Sequence, residues 1–474
     1  MRVLDCTAGS PEWHAERAMV ISGTRRRTAS WAPIMMGCSS KITRSELVRL
    51  LATGDQRQIS RYVEEVIFPE GHRVEAAARP IAEGLLGCKL APETVVDDTG
   101  IYLASLDGTD GQPITMTWEC KQWNQQKADE VREGKCPTED YWQVAQGLMI
   151  TGAAQCLYSL TDGTRDKYLE VWVDRNPGDD LVLMRGWEQL EEDARNYVHR
   201  EAEPVVVGVS PESLPALRIE VTGMVTASNL REFRDHAVAV FDGINTDLRT
   251  DSDFANAEKT VKWCADIESK LDAAKQHALS QTASIDELFR AIDQIKEIAR
   301  AKRLELDKLV KVRKDSIRVE IMGEGAKSLV DHHAKLAARL GIARFPGAAV
   351  DFAGAIKGKR TLESLRDAVA TTLAHAKIAA NELADRMDAN LKVLRESDHA
   401  SLFPDAEALA VQPPNHVAAV MFGRIAKAKD EADARATKPI AQDRERMMAA
   451  RDSAAIDTAR RHRASASASG NRLA

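Results

Sequence analysis

The chain has 474 residues, of which 29% are charged and 44% hydrophobic, and its formal net charge is −7 at pH 7. This length corresponds to about three domains of roughly 150 residues, each long enough to bury a core. The net negative charge counts against a protein that coats nucleic acid non-specifically, because such binding scales with the phosphates that basic side chains contact. Basic surfaces are expected to be local, and the first 49 residues carry eight basic against four acidic side chains.

Cysteine spacing and hydropathy exclude further classes of protein. The seven cysteines include no Cys-x-x-Cys pair, which favours a reducing cytoplasm and counts against an iron–sulfur cluster. No apolar run is long enough to cross a bilayer, so no membrane association is expected. Gly354–Arg360 lacks the glycine spacing of a phosphate-binding loop, so no nucleotide cofactor is expected.

The first part of the chain combines a basic run with an acid on a predicted helix. Arg25–Arg27 could contact a phosphate backbone or form a solvated basic loop. A helix is predicted from about residue 71, and Glu75 in its early turns is either a functional acid or one exposed acid among many. Pro80 is expected to kink or interrupt this helix, because proline lacks the N–H that the helical ladder needs.

Two extended segments carry the strongest chemical signal. The first contains an isolated Asp107, and the second reads Glu119-Cys120-Lys121. Side chains alternate along a strand, so Glu119 and Lys121 point the same way while the Cys120 carbonyl lies beside them. Mg²⁺ prefers a few carboxylates with water and phosphate, and a neighbouring lysine can orient the attacking water. The pattern predicts metal-dependent phosphodiester cleavage, although a lone Glu-x-Lys also recurs on solvated strands.

The spacing of these two segments also predicts a distortion of the strands. A tight hairpin that turns at Asp110-Gly111 would place Asp107 opposite residue 114 rather than opposite Glu119. The strand that carries Asp107 must therefore bend away or contain a bulge.

Regular elements continue downstream. Residues 140–152 predict an amphipathic helix closed by a glycine, and residues 155–160 and 167–173 predict strands. The predicted order is helix, three strands, helix, strand. Prolines then mark a boundary at residues 204–216.

The remainder of the chain is predicted to be mostly helical. Apolar residues at three- and four-residue steps between residues 254 and 321 predict a helical hairpin or a short coiled coil. Residues 300–318 carry eight basic side chains, which form either a solvated face or a surface for DNA or protein. Residues 215–320 resemble a helical phage domain of unknown function that occurs with recombination proteins.

Several motifs in one order resemble the YqaJ-like phage recombinase family, the lambda-type 5′-to-3′ exonucleases of the PD-(D/E)xK nuclease superfamily. The resemblance covers about residues 9–200. Trp13, Arg17 and Thr24 resemble the opening segment that meets the 5′-phosphate of DNA, with Thr24 in place of the usual serine. The other matching positions are Glu75, Asp107 with Gly108, Glu119, Lys121 and Gln143, and Leu106 replaces the proline that often precedes the aspartate.

The resemblance implies an α/β, restriction-endonuclease-like αβββαβ core, joined here to a mostly α-helical, partly coiled-coil C-terminal extension. The implied catalytic residues are Glu75, Asp107, Glu119, Lys121 and Gln143. Two Mg²⁺ ions, or Mn²⁺ in their place, would be held by Asp107, Glu119 and the Cys120 carbonyl, with Glu75 acting through water. Arg17, Thr24 and Gln143 would bind the terminal phosphate.

The activity implied by the resemblance is Mg²⁺-dependent 5′-to-3′ digestion of double-stranded DNA ends. The resulting 3′ overhang would pass to a single-strand annealing protein in phage-type homologous recombination, with the enzyme a homotrimer in the cytoplasm of a bacterial host. Two alternatives stay open, a helical scaffold that binds DNA ends and a sequence-specific endonuclease of the same superfamily.

The predicted domain organisation follows from these segments. An exonuclease domain over residues 1–203 and a linker over 204–216 precede a helical or coiled-coil domain over 217–322. An alanine-rich helical region over 323–437 comes next, and the charged, then Ser/Ala-rich tail over 438–474 is predicted to be disordered.

Overall fold

The structure is a computed structural model that describes residues 1–21, 23–55, 59–198, 208–221, 225–279 and 286–470. The predicted boundary at residues 203 and 204 lies outside the described residues. Packing divides the chain into two compact units. The first comprises Met1–His333 with Gly347–Ala379, and the second comprises Ala334–Pro346 with the chain from Ala380 onward.

The first unit is built on a mixed seven-stranded sheet. The strands are β1 Arg2–Leu4, β2 Val20–Ile21, β3 Thr24–Arg25, β4 Arg27–Thr28, β5 Ala91–Val96, β6 Tyr102–Thr109, β7 Met116–Gln122, β8 Gln155–Thr161, β9 Tyr168–Asp174, β10 Ile219–Val221 and β11 Val225–Ser228. The order of strands in the large sheet is β1-β5-β6-β7-β8-β9, with β4 beside β6. Among the described strands, only the pairs β4–β6 and β7–β8 are parallel. The pairs β2–β3 and β10–β11 are separate hairpins.

Helices make up most of the chain. They are α1 Pro11–Ala18, α2 Ala32–Met35, α3 Arg44–Thr53, α4 Phe68–Leu86, α5 Gln125–Arg132, α6 Thr138–Thr151, α7 Pro177–Arg195, α8 Leu230–Asp242, α9 Asp251–Leu279, α10 Asp286–Leu340, α11 Phe352–Ala355, α12 Leu362–Arg395, α13 Ala406–Ala410 and α14 Pro414–Gly470. The predicted order of helix, three strands, helix and strand is observed as α4, β5, β6, β7, α6 and β8, with α5 as an addition. The described part of the chain is therefore mostly helical, and its seven-stranded mixed sheet belongs to the first unit.

Helices cover both faces of the sheet, so the core has three layers with the sheet in the middle. On one face, Ala78 and Ala82 of α4 pack in one cluster with Trp118. On the other face, α6 and α7 pack against the sheet through a larger cluster that includes Leu148 and Trp187. Pro80 lies inside α4 and does not interrupt it, because the small residues on either side of it keep the helix packed against the sheet.

Strands β6 and β7 pair only near the turn that joins them. The connection spans residues 110–115 instead of a tight two-residue turn, so the ladder pairs Gly108 with Trp118 and Thr109 with Thr117. The tight turn at Asp110-Gly111, which would have placed Asp107 opposite about residue 114, is therefore not formed. Beyond Gly108 the two strands separate, as the bend prediction requires, and the first residues of β6 pair with β4 instead.

A helical hairpin follows the sheet, as predicted. Cys264, Ile267 and Leu271 of α9 share a buried cluster with residues of α10. Basic residues between positions 300 and 318 are largely neutralised, because Arg303 pairs with an acid of α9 and most of the others pair with nearby carboxylates. The solvated, ion-paired face is thus the better description of this basic segment.

Two predicted boundaries of the extension do not appear in the structure. The division between residues 322 and 323 falls inside α10, because Gly325 is a packing position rather than a break. A Cβ there would lie 2.6 Å from Val369 Cγ1. The tail from residue 438, for which the composition predicts disorder, continues α14 to Gly470, since its many alanine and arginine residues favour helix even without an apolar face.

The second unit has its own buried clusters. Leu336, Leu340, Ala384 and Leu391 belong to one cluster, and Phe403 belongs to another. No helix in the described part of the chain is long and apolar enough to cross a membrane.

Candidate active site

A single cleft of about 930 Å³ brings together most of the predicted site residues. It is lined by five residues of the predicted catalytic set, Glu75, Asp107, Glu119, Lys121 and Gln143, together with Cys120 and Arg17. These residues come from α1, α4, β6, β7 and α6, so the cleft exists only in the folded sheet.

Asp107 lies where β6 separates from β7. Its Oδ2 accepts a hydrogen bond of 2.8 Å from the backbone N–H of Cys120, so a side chain spans the gap between the two strands. The N–H and the carbonyl of one strand residue face the same neighbouring strand. The Cys120 carbonyl therefore faces the side of β7 on which Asp107 lies.

Glu119, Lys121 and Gln143 form a closed hydrogen-bonded triangle. Lys121 Nζ donates to Glu119 Oε1 at 2.5 Å and to Gln143 Oε1 at 3.1 Å. Gln143 Nε2 donates to the same Glu119 oxygen at 2.6 Å. Glu119 is only 4% exposed, so this triangle fixes the orientation of a buried carboxylate and leaves its second oxygen without a hydrogen-bond donor among the described residues.

Arg79 is a component of the site that the sequence motifs did not indicate. It lies one turn after Glu75 on α4, and its Nη2 donates to Glu75 Oε1 at 2.5 Å. Its Nη1 donates to the Asp107 carbonyl at 2.6 Å, and its guanidinium lies 5.3 Å from the ring centre of Trp118. Arg79 therefore ties the helix that carries Glu75 to the strand that carries Asp107.

The three carboxylates perturb one another electrostatically. Burial, followed by the charge of Glu75, raises the pKa of Asp107 to about 6, although the Lys121 ammonium opposes this shift. Burial raises the pKa of Glu119 to about 8, with the charge of Asp107 contributing. Burial and Glu119 also raise the pKa of Glu75. The carboxylates thus form a concentrated negative site that a cation would stabilise.

The donor set fits a hard divalent cation that is completed by water. No three histidine, cysteine, aspartate or glutamate side chains among the described residues are arranged to hold a metal by themselves. Asp107 and Glu119 instead offer one carboxylate oxygen each beside the strand carbonyl of Cys120. Few protein ligands and several waters are the usual environment of Mg²⁺, so these residues fit that ion.

Arg17 supplies a positive charge in the same cleft. Its Nη2 donates to Ser30 Oγ at 2.7 Å, and its guanidinium lies 4.4 Å from the ring centre of Trp13. Burial, and secondarily the charge of Arg25, lowers the pKa of Arg17 to about 10. It forms no ion pair with any residue that the structure describes, so its guanidinium is available to an anion.

Two parts of the predicted phosphate-binding segment lie elsewhere. Thr24 sits in the β2–β3 hairpin and does not line the cleft; Ser30 provides the hydroxyl beside Arg17 instead. Arg26 and Arg27 are buried and pair with Glu16 and Glu191. These two arginines therefore form structural ion pairs with Glu16 and Glu191, and they are neither phosphate contacts nor part of a solvated loop.

Comparison with known proteins yields only distant structural matches. No family model and no curated protein matches the chain. An alkaline exonuclease, LHK-Exo from Laribacter hongkongensis, is similar at 20% identity over 40% of this chain and 93% of that chain, with a TM-score of 0.31. The complex of LHK-Exo with dAMP gives the same values.

Proposed function

We propose that this chain is a Mg²⁺-dependent deoxyribonuclease that digests duplex DNA from 5′ ends. The observation that carries the proposal is the convergence of Asp107, Glu119 and Lys121, with an unpaired Arg17, in one cleft. Carboxylates that hold a cation, beside an ammonium group and a separate anion-binding guanidinium, are what cleavage of a terminal phosphodiester requires.

The residues of the cleft divide the chemistry among them. A bound Mg²⁺ would polarise the scissile phosphate and lower the pKa of a bound water. Asp107, Glu119 and the Cys120 carbonyl would hold that ion. Lys121 is held by Glu119 and Gln143 so that its ammonium can orient the attacking water or offset charge on the phosphate.

The positive charge of Arg17 in the cleft supports digestion from the 5′ end. Arg17 can bind a phosphate through two parallel N–H groups, and the Ser30 hydroxyl beside it can act as a further donor. Such a site favours a substrate whose 5′ terminus carries a phosphate. The homotrimer, the annealing partner, the phage origin and the bacterial cytoplasm remain predictions from the resemblance.

Digestion of two DNA topologies tests this function. Linear duplex DNA with 5′-phosphates should be degraded in the presence of Mg²⁺, with 3′-terminated single strands as the product. Covalently closed circular duplex should persist, because it offers no end to Arg17. Cutting of the circle would identify an endonuclease instead, and binding of ends without loss of either substrate would identify a scaffold.

Protonation of the central carboxylates should govern stability and Mg²⁺ binding. The folded-state pKa values of about 6 for Asp107 and about 8 for Glu119 exceed those of an unfolded chain, which are near 4. The folded state therefore holds more protons between about pH 4 and 8, so metal-free stability should fall as the pH rises through this window. The rise in melting temperature caused by Mg²⁺ should grow over the same range, because a cation binds ionised carboxylates.

Thermal melts with Mg²⁺ or EDTA at several pH values measure this effect. Asp107→Asn and Glu119→Gln keep the side-chain size and should flatten both pH dependences. Glu70→Gln is a matched control, because Glu70 pairs with Arg73 on an exposed part of α4. A stabilisation by Mg²⁺ that is equal at pH extremes, or equal in the variants and the control, would contradict the assignment of these ligands.

A further inference from the structure

One positive charge in the cleft has no role in the mechanism above. Lys41 lines the cleft near Lys121 and Lys127, on the segment between α2 and α3. The cleft cations Arg79, Lys121 and Lys127 each pair with a carboxylate. Lys41 has no carboxylate within ion-pair distance among the described residues, and in this it resembles Arg17.

The surroundings of Lys41 favour an anionic ligand. Partial desolvation, and then the charges of Lys127 and Lys121, lower the pKa of Lys41. A group that suffers this repulsion gains most from a negative charge placed between it and its neighbours. The two acids whose charges oppose this shift, Asp140 and Glu139, already have other partners. Asp140 pairs with Lys127 at 2.7 Å, and Glu139 accepts from the Ser40 N–H at 3.1 Å and pairs with Lys127 at 3.4 Å.

The segment that carries Lys41 is held in place by α12, which lies more than three hundred residues further along the chain. At one end of the segment, His375 Nε2 donates to the Met36 carbonyl at 3.0 Å. At the other end, Asp367 Oδ1 accepts from the backbone N–H of Ser45 at 3.2 Å. All of these residues belong to the first compact unit.

The contact between the segment and α12 is also sterically close. A Cβ on Gly37 would lie 2.4 Å from Thr371 Cγ2, and Gly37 has a φ of +67°. Only glycine allows the backbone to approach α12 this closely in that conformation. The contact with α12 therefore helps to fix the position of the segment, together with Glu139, which accepts from the Ser40 N–H.

We infer that Lys41 binds a backbone phosphate of duplex DNA in the cleft and that α12 positions it there. The inference rests on the proposed nuclease function and gives the helical extension a role in it. Lys41 would be a substrate contact, whereas Asp367 and His375 are positioning residues. Together with Arg17, Lys41 would fix the duplex at two points around the carboxylates.

Equilibrium binding of the full chain to a 5′-phosphorylated duplex, measured by fluorescence anisotropy in EDTA, tests the contact. Lys41→Ala should weaken binding about five- to tenfold and lower the slope of log K against log salt by about 1, as loss of one phosphate contact predicts. Lys41→Arg should keep the wild-type slope. Lys89→Ala is the matched control, because Lys89 is exposed, pairs with Glu83 and does not line the cleft.

The role of α12 needs a second set of variants. The double variant Asp367→Ala, His375→Ala should also bind DNA more weakly than the wild-type chain. In that double variant, the further change Lys41→Ala should reduce affinity much less than Lys41→Ala does in the wild-type chain. Undiminished affinity and an unchanged salt slope in Lys41→Ala, with a wild-type chain that binds and digests DNA, would overturn this inference and leave the proposed function intact. Full additivity of the three changes would overturn the positioning by α12, whereas a wild-type chain without digestion would overturn the function itself.

Discussion

Lys121→Ala should abolish Mg²⁺-dependent digestion of linear duplex DNA, with a loss of about 10³-fold or more, while the chain stays folded. A group that orients the nucleophile or stabilises developing charge is worth about 10² to 10⁴ in rate. Lys121 is also the only donor besides Gln143 to the buried Glu119 carboxylate among the described residues. Removal of Lys121 would therefore disturb both Glu119, the proposed ligand of the metal, and the proposed orientation of the attacking water.

The fold should survive because Glu119 can change its charge state. Its pKa is already raised to about 8 by burial, and the loss of the Lys121 ammonium raises it further. At neutral pH the variant's Glu119 is therefore protonated, so no unpaired charge is left buried. Circular dichroism should therefore match the wild-type chain, and initial digestion rates give the loss of activity. Lys89→Ala is again the control, and digestion by Lys121→Ala at the control rate would remove this residue from the mechanism.

Arg17→Ala should erase most of the preference for 5′-phosphorylated over 5′-hydroxyl ends. Charge-assisted, bidentate hydrogen bonds to a phosphate are worth about 1.5 to 3 kcal/mol, which corresponds to about 10- to 150-fold in the ratio of the two rates. Arg17→Lys should restore only part of the ratio, because an ammonium group has the charge without the planar pair of donors. Initial rates on two substrates that differ only at the 5′ end give this ratio.

Three further variants locate the anion site. Ser30→Ala should reduce the ratio by a smaller factor than Arg17→Ala, because Ser30 orients the guanidinium through one hydrogen bond. Thr24→Ala should leave it unchanged, since Thr24 does not line the cleft. Arg61→Ala is the charge-matched control, because Arg61 is exposed and pairs with Glu65. An Arg17→Ala ratio equal to that of the control would reassign Arg17 to structure.

Some features of the site can be predicted from the sequence, because they depend only on residues that are close together along the chain. Alternation along a strand places Glu119 and Lys121 on one side of β7 whatever surrounds them, and Lys121 does bond to Glu119. Apolar periodicity and a closing glycine likewise locate α6, the helix that carries Gln143. These features depend on residues a few positions apart, so their geometry is fixed by the backbone period.

The remaining features depend on packing between distant segments. The six-residue connection between β6 and β7 sets the register of Asp107 against β7. The tertiary structure places Ser30, and not Thr24, beside Arg17. Glycine at position 325 marks a close helix contact in this fold, although the same residue would often mark a break.

The sequence by itself determined which residue types could perform the chemistry and on which elements most of them lie. The tertiary structure decided that Arg79 links Glu75 to Asp107 and that α12 holds the segment of Lys41. The physical reason is that a local pattern encodes the direction of a side chain along its own element. The partner of that side chain depends on which elements meet when the apolar faces of sheet and helices are buried together.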